Sequence, residues 1–225
     1  MPKIRPLPSI RWLLIAGAAF VAVPLAAHLL ASPLLDLLNS DGVTRLDRAA
    51  WEYARSHSSS TSLALMTLVS DLHGTVGILG LTALVAWGWR RHGHLDACVR
   101  LLLAVPVGML LNVLVKAAIQ RVRPDWALVA LPRSFSFPSG HVAEATVFYG
   151  SLALEAIAQG ARKVWRPVLA LGAVAMIALV ASSRILLGVH FLSDCVGAVL
   201  EGAIWLVACF NRRPWRADRA AAGAR

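Results

Sequence analysis

Charged side chains are scarce in this chain, at 15% of its 225 residues, and carboxylates are scarcest, with 12 Asp and Glu against 22 Lys and Arg. Together with 58% hydrophobic residues and a mean hydropathy of +0.66, this shortage excludes a soluble domain of ordinary composition and points to a bilayer. The chain also lacks tandem repeats, composition shifts and long Gly/Ser linkers, so residues 1–225 read as a single domain. Cysteine is nearly missing. Cys98, Cys195 and Cys209 are odd in number, fall in no pairing or metal-binding motif and lie in or beside apolar segments, so they read as small buried hydrophobes. No continuous basic patch exists either. The net charge of +10 is spread between long apolar runs, which suits a membrane and tells against nucleic acid.

What the sequence has instead is those apolar runs. A helix needs roughly 20 apolar residues to cross the hydrocarbon core, and six windows of about that length occur, at about 12–31, 68–89, 98–117, 142–160, 167–186 and 191–210. The first follows Lys3, Arg5 and Arg11 like the start of a signal peptide. It is long enough to span and has no small-residue cleavage site before Ser32, so it reads as a retained helix. The second is interrupted at its start by Asp71 and His73, and residues 60–72 read alternatively as an interfacial turn. The expected fold is all-α, a polytopic bundle of six transmembrane helices.

Basic residues set the expected orientation. With the N-terminus cytoplasmic, 14 of the 22 Lys and Arg fall on that side, and both termini face the cytoplasm. Two outward loops nevertheless keep cations: Lys116, Arg121, Arg123 and Arg133 between the third and fourth windows, and Arg184 before the sixth. Ser139, His141, His190 and Asp194 lie beside them. Cations, histidines and a carboxylate gathered on one face have a simple common cause in a site that handles an anion.

Three clusters supply the chemistry. Lys116, Arg121, Arg123 and Pro124 close the third window; Pro124 disfavours helical geometry at Arg123, so the helix is expected to end there with Arg123 turned inward. An arginine fork and a lysine point charge suit phosphoryl oxygens, whereas the plain structural reading is snorkelling cations at a helix end. Ser136-Phe137-Pro138-Ser139-Gly140-His141 precedes an apolar helix. Ser139 is a candidate cap, Gly140 allows close backbone approach, and the first-turn amides form an anion site that places His141 to donate a proton. The plain reading is a Pro-Ser-Gly turn beside an interfacial histidine. In Ser183-Arg184-x-x-x-Gly188-x-His190-x-x-x-Asp194, the last two residues are four apart and share a helical face. The carboxylate would orient the ring and free its other nitrogen for attack, with Arg184 as a further phosphate fork; the alternative is a structural His-Asp pair.

Lys116-x6-Arg123-Pro124, Pro138-Ser139-Gly140-His141 and Ser183-Arg184-x3-Gly188-x-His190-x3-Asp194, in this order, resemble the three-part signature of the type 2 phosphatidic acid phosphatase (PAP2) superfamily, over residues 116–194. The resemblance implies a metal-independent, cofactor-free phosphomonoesterase or pyrophosphatase with a helical core shared with soluble acid phosphatases and vanadium haloperoxidases. It implies that His190 attacks phosphorus and becomes a phosphohistidine, Asp194 positions it, and His141 protonates the leaving group and then activates water. Lys116, Arg123, Ser139, Gly140 and Arg184 would bind the phosphoryl oxygens.

The expected substrate is a lipid phosphate: undecaprenyl pyrophosphate, phosphatidylglycerol phosphate, phosphatidate or another isoprenoid phosphate. The expected setting is a bacterial inner membrane with the site facing the periplasm, in contact with membrane lipids and with no protein partner indicated. A phosphotransferase would use the same histidine, and a non-catalytic lipid-binding protein is the reading from another class. The signature leaves several residues unassigned. Arg121 and Arg133 are candidates for a second phosphate or a headgroup, and Asp71 and His73 either line the site or cap the second span. Glu201, two turns inside the last window, is protonated, paired or beside a polar cavity, while His28 and Glu155 read as structural.

Overall fold

The structure is a computed structural model and describes residues 10–210. The basic tail from Arg212 to Arg225 and the charges at Lys3 and Arg5 lie outside the described residues. Those described form nine helices and no strand: α1 (Ile10–Leu29), α2 (Ala31–Leu38), α3 (Asp41–Ser56), α4 (Ser60–Leu72), α5 (Thr75–Arg91), α6 (Leu95–Ile119), α7 (Gly140–Ala158), α8 (Trp165–Leu186) and α9 (Leu192–Phe210).

Three of them, α6, α8 and α9, are each long and apolar enough to cross a membrane, and two bent pairs bring the number to as many as five. In these pairs α1 meets α2 at 65° and α4 meets α5 at 61°. The 19-residue α7 is not among the spans by composition. It packs against α6, α8 and α9, an enclosure that lets it hold Glu144 and Glu155 away from lipid. Leu171 and Val174 on α8, and Leu200 and Val207 on α9, are more than half exposed, as befits surfaces whose solvent is hydrocarbon.

Two boundaries differ from the sequence expectation. Residues 60–72 are helical, not a turn: Ser59 and Ser62 form a capping box that starts α4. The break falls at His73-Gly74, where the polar residues sit, and α5 restarts from Gly74 in extended geometry. The third window ends at Ile119 rather than at Arg123, because Gln120 adopts a left-handed conformation (φ 57°) and closes the helix by donating its N–H to the Lys116 carbonyl.

Between α6 and α7 the chain crosses the end of the bundle without regular structure. It is tied down by Ser136 N–H to Arg121 O (2.8 Å), Leu128 N–H to Leu187 O (2.9 Å) and Ser139 N–H to Asp194 O (3.1 Å). The same end gathers the C-termini of α4, α6 and α8 and the N-termini of α5, α7 and α9, so all three signature segments converge there. Beneath them Val142, Ala143, Ala145, Val180, Cys195 and Ala198 form a close-packed layer. The main core, with Ile78, Leu101, Leu111, Phe148 and Trp205, lies deeper. There Trp205 donates to Ala104 O (2.8 Å), and Gly108 leaves room for its ring. All three cysteines are buried. At the opposite end Arg100 bonds Asp96 (2.6 Å) and Glu155 (2.5 Å), which gives three buried charges mutual partners.

Candidate active site

His190 sits in the short turn between α8 and α9, and Gly188 makes that turn possible. Its φ of +69° is left-handed, and a Cβ there would lie 2.7 Å from the Trp126 carbonyl oxygen, so both conformation and space require glycine. Asp194 follows in the first turn of α9, and its Oδ2 lies 3.3 Å from His190 Nδ1. The same oxygen accepts from Phe191 N–H (3.0 Å) and from the Ser136 hydroxyl, while Oδ1 accepts from Arg121 Nη1 (2.7 Å). With Nδ1–H directed at the carboxylate, the lone pair falls on Nε2. Arg123 Nη1 lies 3.2 Å from that nitrogen.

Burial, partly opposed by the hydrogen bond and charge of Asp194, pushes His190 from 6.5 down to about 3. The ring is therefore neutral and nucleophilic near neutral pH. Arg123 is lowered too, by burial with Asp194 opposing, from a value so high that it stays a cation. Its fork is fixed by carbonyls: Nε donates to Ser134 O (2.8 Å) and Nη1 to Val189 O (2.8 Å).

The remaining signature residues surround this pair. Arg184, in the last turn of α8, is buried and donates through Nη1 to the Ser70 hydroxyl, leaving its Nε without a partner. Lys116 directs its ammonium at the carbonyls of Phe135 (3.0 Å), Ser136 (3.1 Å) and Pro138, and thereby pins the connecting segment. Ser139 occupies the N-cap position of α7, but its hydroxyl makes no capping bond, contrary to the sequence expectation. That hydroxyl is buried without a partner, while the backbone N–H is turned to Asp194 O. A Cβ on Gly140 would meet Asn112 Oδ1 at 3.3 Å. His141, in the first turn of α7, lies within electrostatic range of Arg184, His190, His73 and Arg123. Its Nε2 faces the α4–α5 break, 3.7 Å from where a Gly74 Cβ would stand.

Several unassigned residues now have partners. Arg121 is 2% exposed and locked between Asp194 and Asp47, so it is not a free cation waiting for a headgroup. His73 caps α4, with Nδ1 at 2.8 Å from Val69 O and Nε2 at 2.7 Å from the Tyr149 hydroxyl. Asp71 and Arg133 are exposed. Glu201 is paired, accepting from Asn112 Nδ2 (2.7 Å).

Sequence reasoning missed Asp47, Ser70, Asn112 and Glu144. Glu144, one turn after Gly140 on α7, has an oxygen buried without a partner, and its spacing from His141 was the one available signal. Asp47 and Ser70 reach the site only through the packing of α3 and α4. Among the described residues, no group of three or more His, Cys, Asp or Glu is arranged to hold a metal ion.

The arrangement can bind an anion between two guanidiniums and the α7 amides, with a neutral imidazole beneath and a second histidine beside it. Comparison with known proteins leads to the same chemistry. Residues 97–218 match the PAP2 superfamily. The chain is 31% identical over 157 residues to phosphatidylglycerophosphatase B of Bacillus subtilis (strain 168), covering 66% of this chain and 75% of that protein. It superposes with a TM-score of 0.73 and 27% identity on the crystal structure of a transmembrane PAP2-type phosphatidylglycerolphosphate phosphatase from Bacillus subtilis, over 89% of this chain and 99% of that one. Aquifex aeolicus LpxE shares the fold, with a TM-score of 0.56 at 20% identity, over 72% and 94% of the two chains. The chain belongs to the PAP2 superfamily, among its membrane-integral phosphatases.

Proposed function

We propose that this protein hydrolyses the phosphomonoester or pyrophosphate of a membrane lipid, with phosphatidylglycerol phosphate the first candidate because the curated relative and the solved neighbour carry that activity in their names. The observation that carries the mechanism is the orientation of His190, with Nδ1 on Asp194 and Nε2 towards Arg123. Nε2 attacks phosphorus as the bond to the lipid oxygen breaks. His141 donates the proton to that oxygen, and a phosphohistidine remains. Water then attacks the phosphorus, its proton passes to His141, and the N–P electron pair returns to Nε2.

Arg123, Arg184, Lys116, the Ser139 hydroxyl and the Gly140 amide stabilise the charge on the phosphoryl oxygens, and the cations among them support catalysis without a metal. On this reading Lys116 turns part of its ammonium from the loop carbonyls to the substrate. The chain crosses a bacterial inner membrane six times, α7 included, with both termini cytoplasmic and the site periplasmic. The excess of Lys and Arg on the opposite side supports this orientation.

The test is phosphate release by detergent-purified protein in EDTA, from phosphatidylglycerol phosphate, undecaprenyl pyrophosphate and phosphatidate, alongside His190→Ala. Release by the wild type and its near abolition in the variant are expected. Equal release by both would remove the histidine mechanism, and loss of activity in EDTA that added metal restores would remove metal independence.

A further inference from the structure

Asp194 orients His190, and Asp194 is itself held by a buried network that reaches well beyond the signature. Arg121, from the segment after α6, donates Nη1 to Asp194 Oδ1 (2.7 Å) and to the Ser193 hydroxyl (2.7 Å). Its Nη2 donates to Leu38 O (2.8 Å) and Asp47 Oδ2 (3.2 Å). Asp47, on α3, in turn accepts from Ser193 N–H (2.8 Å) and the Ser193 hydroxyl (2.6 Å). The Phe191 ring lies 4.1 Å from the guanidinium carbon and shields it. Asp47 and Arg121 are each 2% exposed and Asp194 is 0% exposed, so water screens none of these charges. Imidazole, carboxylate, guanidinium and carboxylate thus form one continuous line drawn from three separate segments.

The charges in that line do not cancel. Two carboxylates against one guanidinium leave one negative charge, buried next to a neutral ring. Arg123 and Lys116 lie within electrostatic range of Asp194 but on the side where the phosphoryl oxygens bind, so the group in direct contact with Asp194 that gains a positive charge during the reaction is the ring itself. When the Nε2 lone pair forms the bond to phosphorus and the P–O bond to the lipid breaks, Nδ1 keeps its proton and the ring becomes cationic. The electrostatic environment is thus complementary to the phosphorylated state rather than to the resting one. Asp47 supplies this complementarity from a distance: without its charge, Arg121 would neutralise Asp194 and leave nothing for the ring.

We infer that Asp47, acting through Arg121, is a positioning residue for the reaction, which keeps the negative charge of Asp194 directed at His190 as that ring is phosphorylated. The inference rests on the reading of His190 as the nucleophile. A purely architectural role, in which Asp47 pins α3 to the start of α9, is the competing account. The two differ in what charge and shape should do separately.

Asp47→Asn keeps the shape and removes the charge, Asp47→Glu keeps the charge and changes the shape, and Asp47→Asn combined with Arg121→Met removes both charges. In full-length protein, kcat, KM and the amount of protein-bound label trapped from radiolabelled substrate in alkaline detergent would be measured for each. Asp47→Asn is expected to lower kcat by on the order of tenfold or more with KM little changed, and to lower the trapped label. Asp47→Glu is expected to stay nearer to the wild type than Asp47→Asn, and the double variant to recover part of the loss. If Asp47→Glu is as impaired as Asp47→Asn, or the double variant is worse than the single, shape rather than charge is what matters and the inference is overturned. If His190→Ala is inactive while Asp47→Asn turns over like the wild type, the inference fails alone. If His190→Ala turns over normally, the nucleophile reading fails first.

Discussion

Arg123 and His190 stand 67 residues apart in sequence, yet a guanidinium nitrogen of the first lies 3.2 Å from Nε2 of the second. On the proposed mechanism, that contact places the positive fork where the phosphorus and its oxygens arrive. Lysine at this position would keep the charge but could not bond Ser134 O and Val189 O while also facing the ring. Arg123→Lys is therefore expected to lower kcat/KM by roughly ten- to a hundredfold, the loss associated with one or two charge-assisted hydrogen bonds. Steady-state phosphate release checks it, and a variant within twofold of the wild type would remove Arg123 from the phosphate site.

The same ring makes a prediction about pH. Burial holds His190 neutral in the folded state, down to about 3 against an ordinary 6.5. Between those values the unfolded chain binds a proton that the folded one does not, so stability from this group falls as pH drops through that window. Above the ordinary value it contributes no slope. The slope is at most ~1.4 kcal/mol per pH unit for one group. Thermal unfolding in detergent from about pH 7 down to about pH 4 should show a shallower decline for His190→Gln than for wild type. Parallel curves would mean that the ring titrates alike in both states.

Stability and catalysis should separate at the far end of the bundle. Arg100 joins Asp96 and Glu155 at the end of the bundle opposite the signature residues. Arg100→Leu leaves both carboxylates without this buried cation and is expected to cost about 3–5 kcal/mol of stability. The turnover of the fraction that folds should be unchanged. A lowered unfolding midpoint with normal kcat is the predicted pair of results; normal stability would show the carboxylates to be satisfied without the arginine.

Gly188→Ala should do the reverse of a neutral surface change. The new methyl would enter a left-handed turn against the Trp126 carbonyl, 2.7 Å away, at a cost of about 1–2 kcal/mol for the backbone alone. Because His190 is two residues on, any relief of that clash moves the proposed nucleophile, so kcat should fall more than the unfolding midpoint implies. Unaltered turnover would mean that the turn yields without moving the ring.

Much of the site was legible because its chemistry is local. His190 and Asp194 meet, as their spacing suggested, although not on one helical face: His190 stands in the turn before α9, and Asp194 in the first turn of that helix reaches back to its ring, while Gly140 and His141 stand at a helix start because Pro138 and Ser139 precede them. The windows at about 98–117, 167–186 and 191–210 became α6, α8 and α9 because continuous apolarity admits few alternatives in a bilayer. The break at His73-Gly74 was visible as misplaced polarity, although its geometry was not.

What the tertiary structure alone decided is who answers those residues across the chain. Asp47 meets Ser193 across 146 positions and Ser70 meets Arg184 across 114. No periodicity or spacing encodes such pairings, because they depend on which helix lies beside which. Lys116 illustrates the division: its sequence position declared a cation at the anion site, and only the folded loop showed three carbonyls already holding it. The sequence by itself determined a membrane bundle with two histidines among cations at one end, since apolar runs and short spacings act over a few residues. The charge state of that pair was decided by the packing of α3 and the segment after α6 around Asp194, since burial and pairing exist only once distant segments have met.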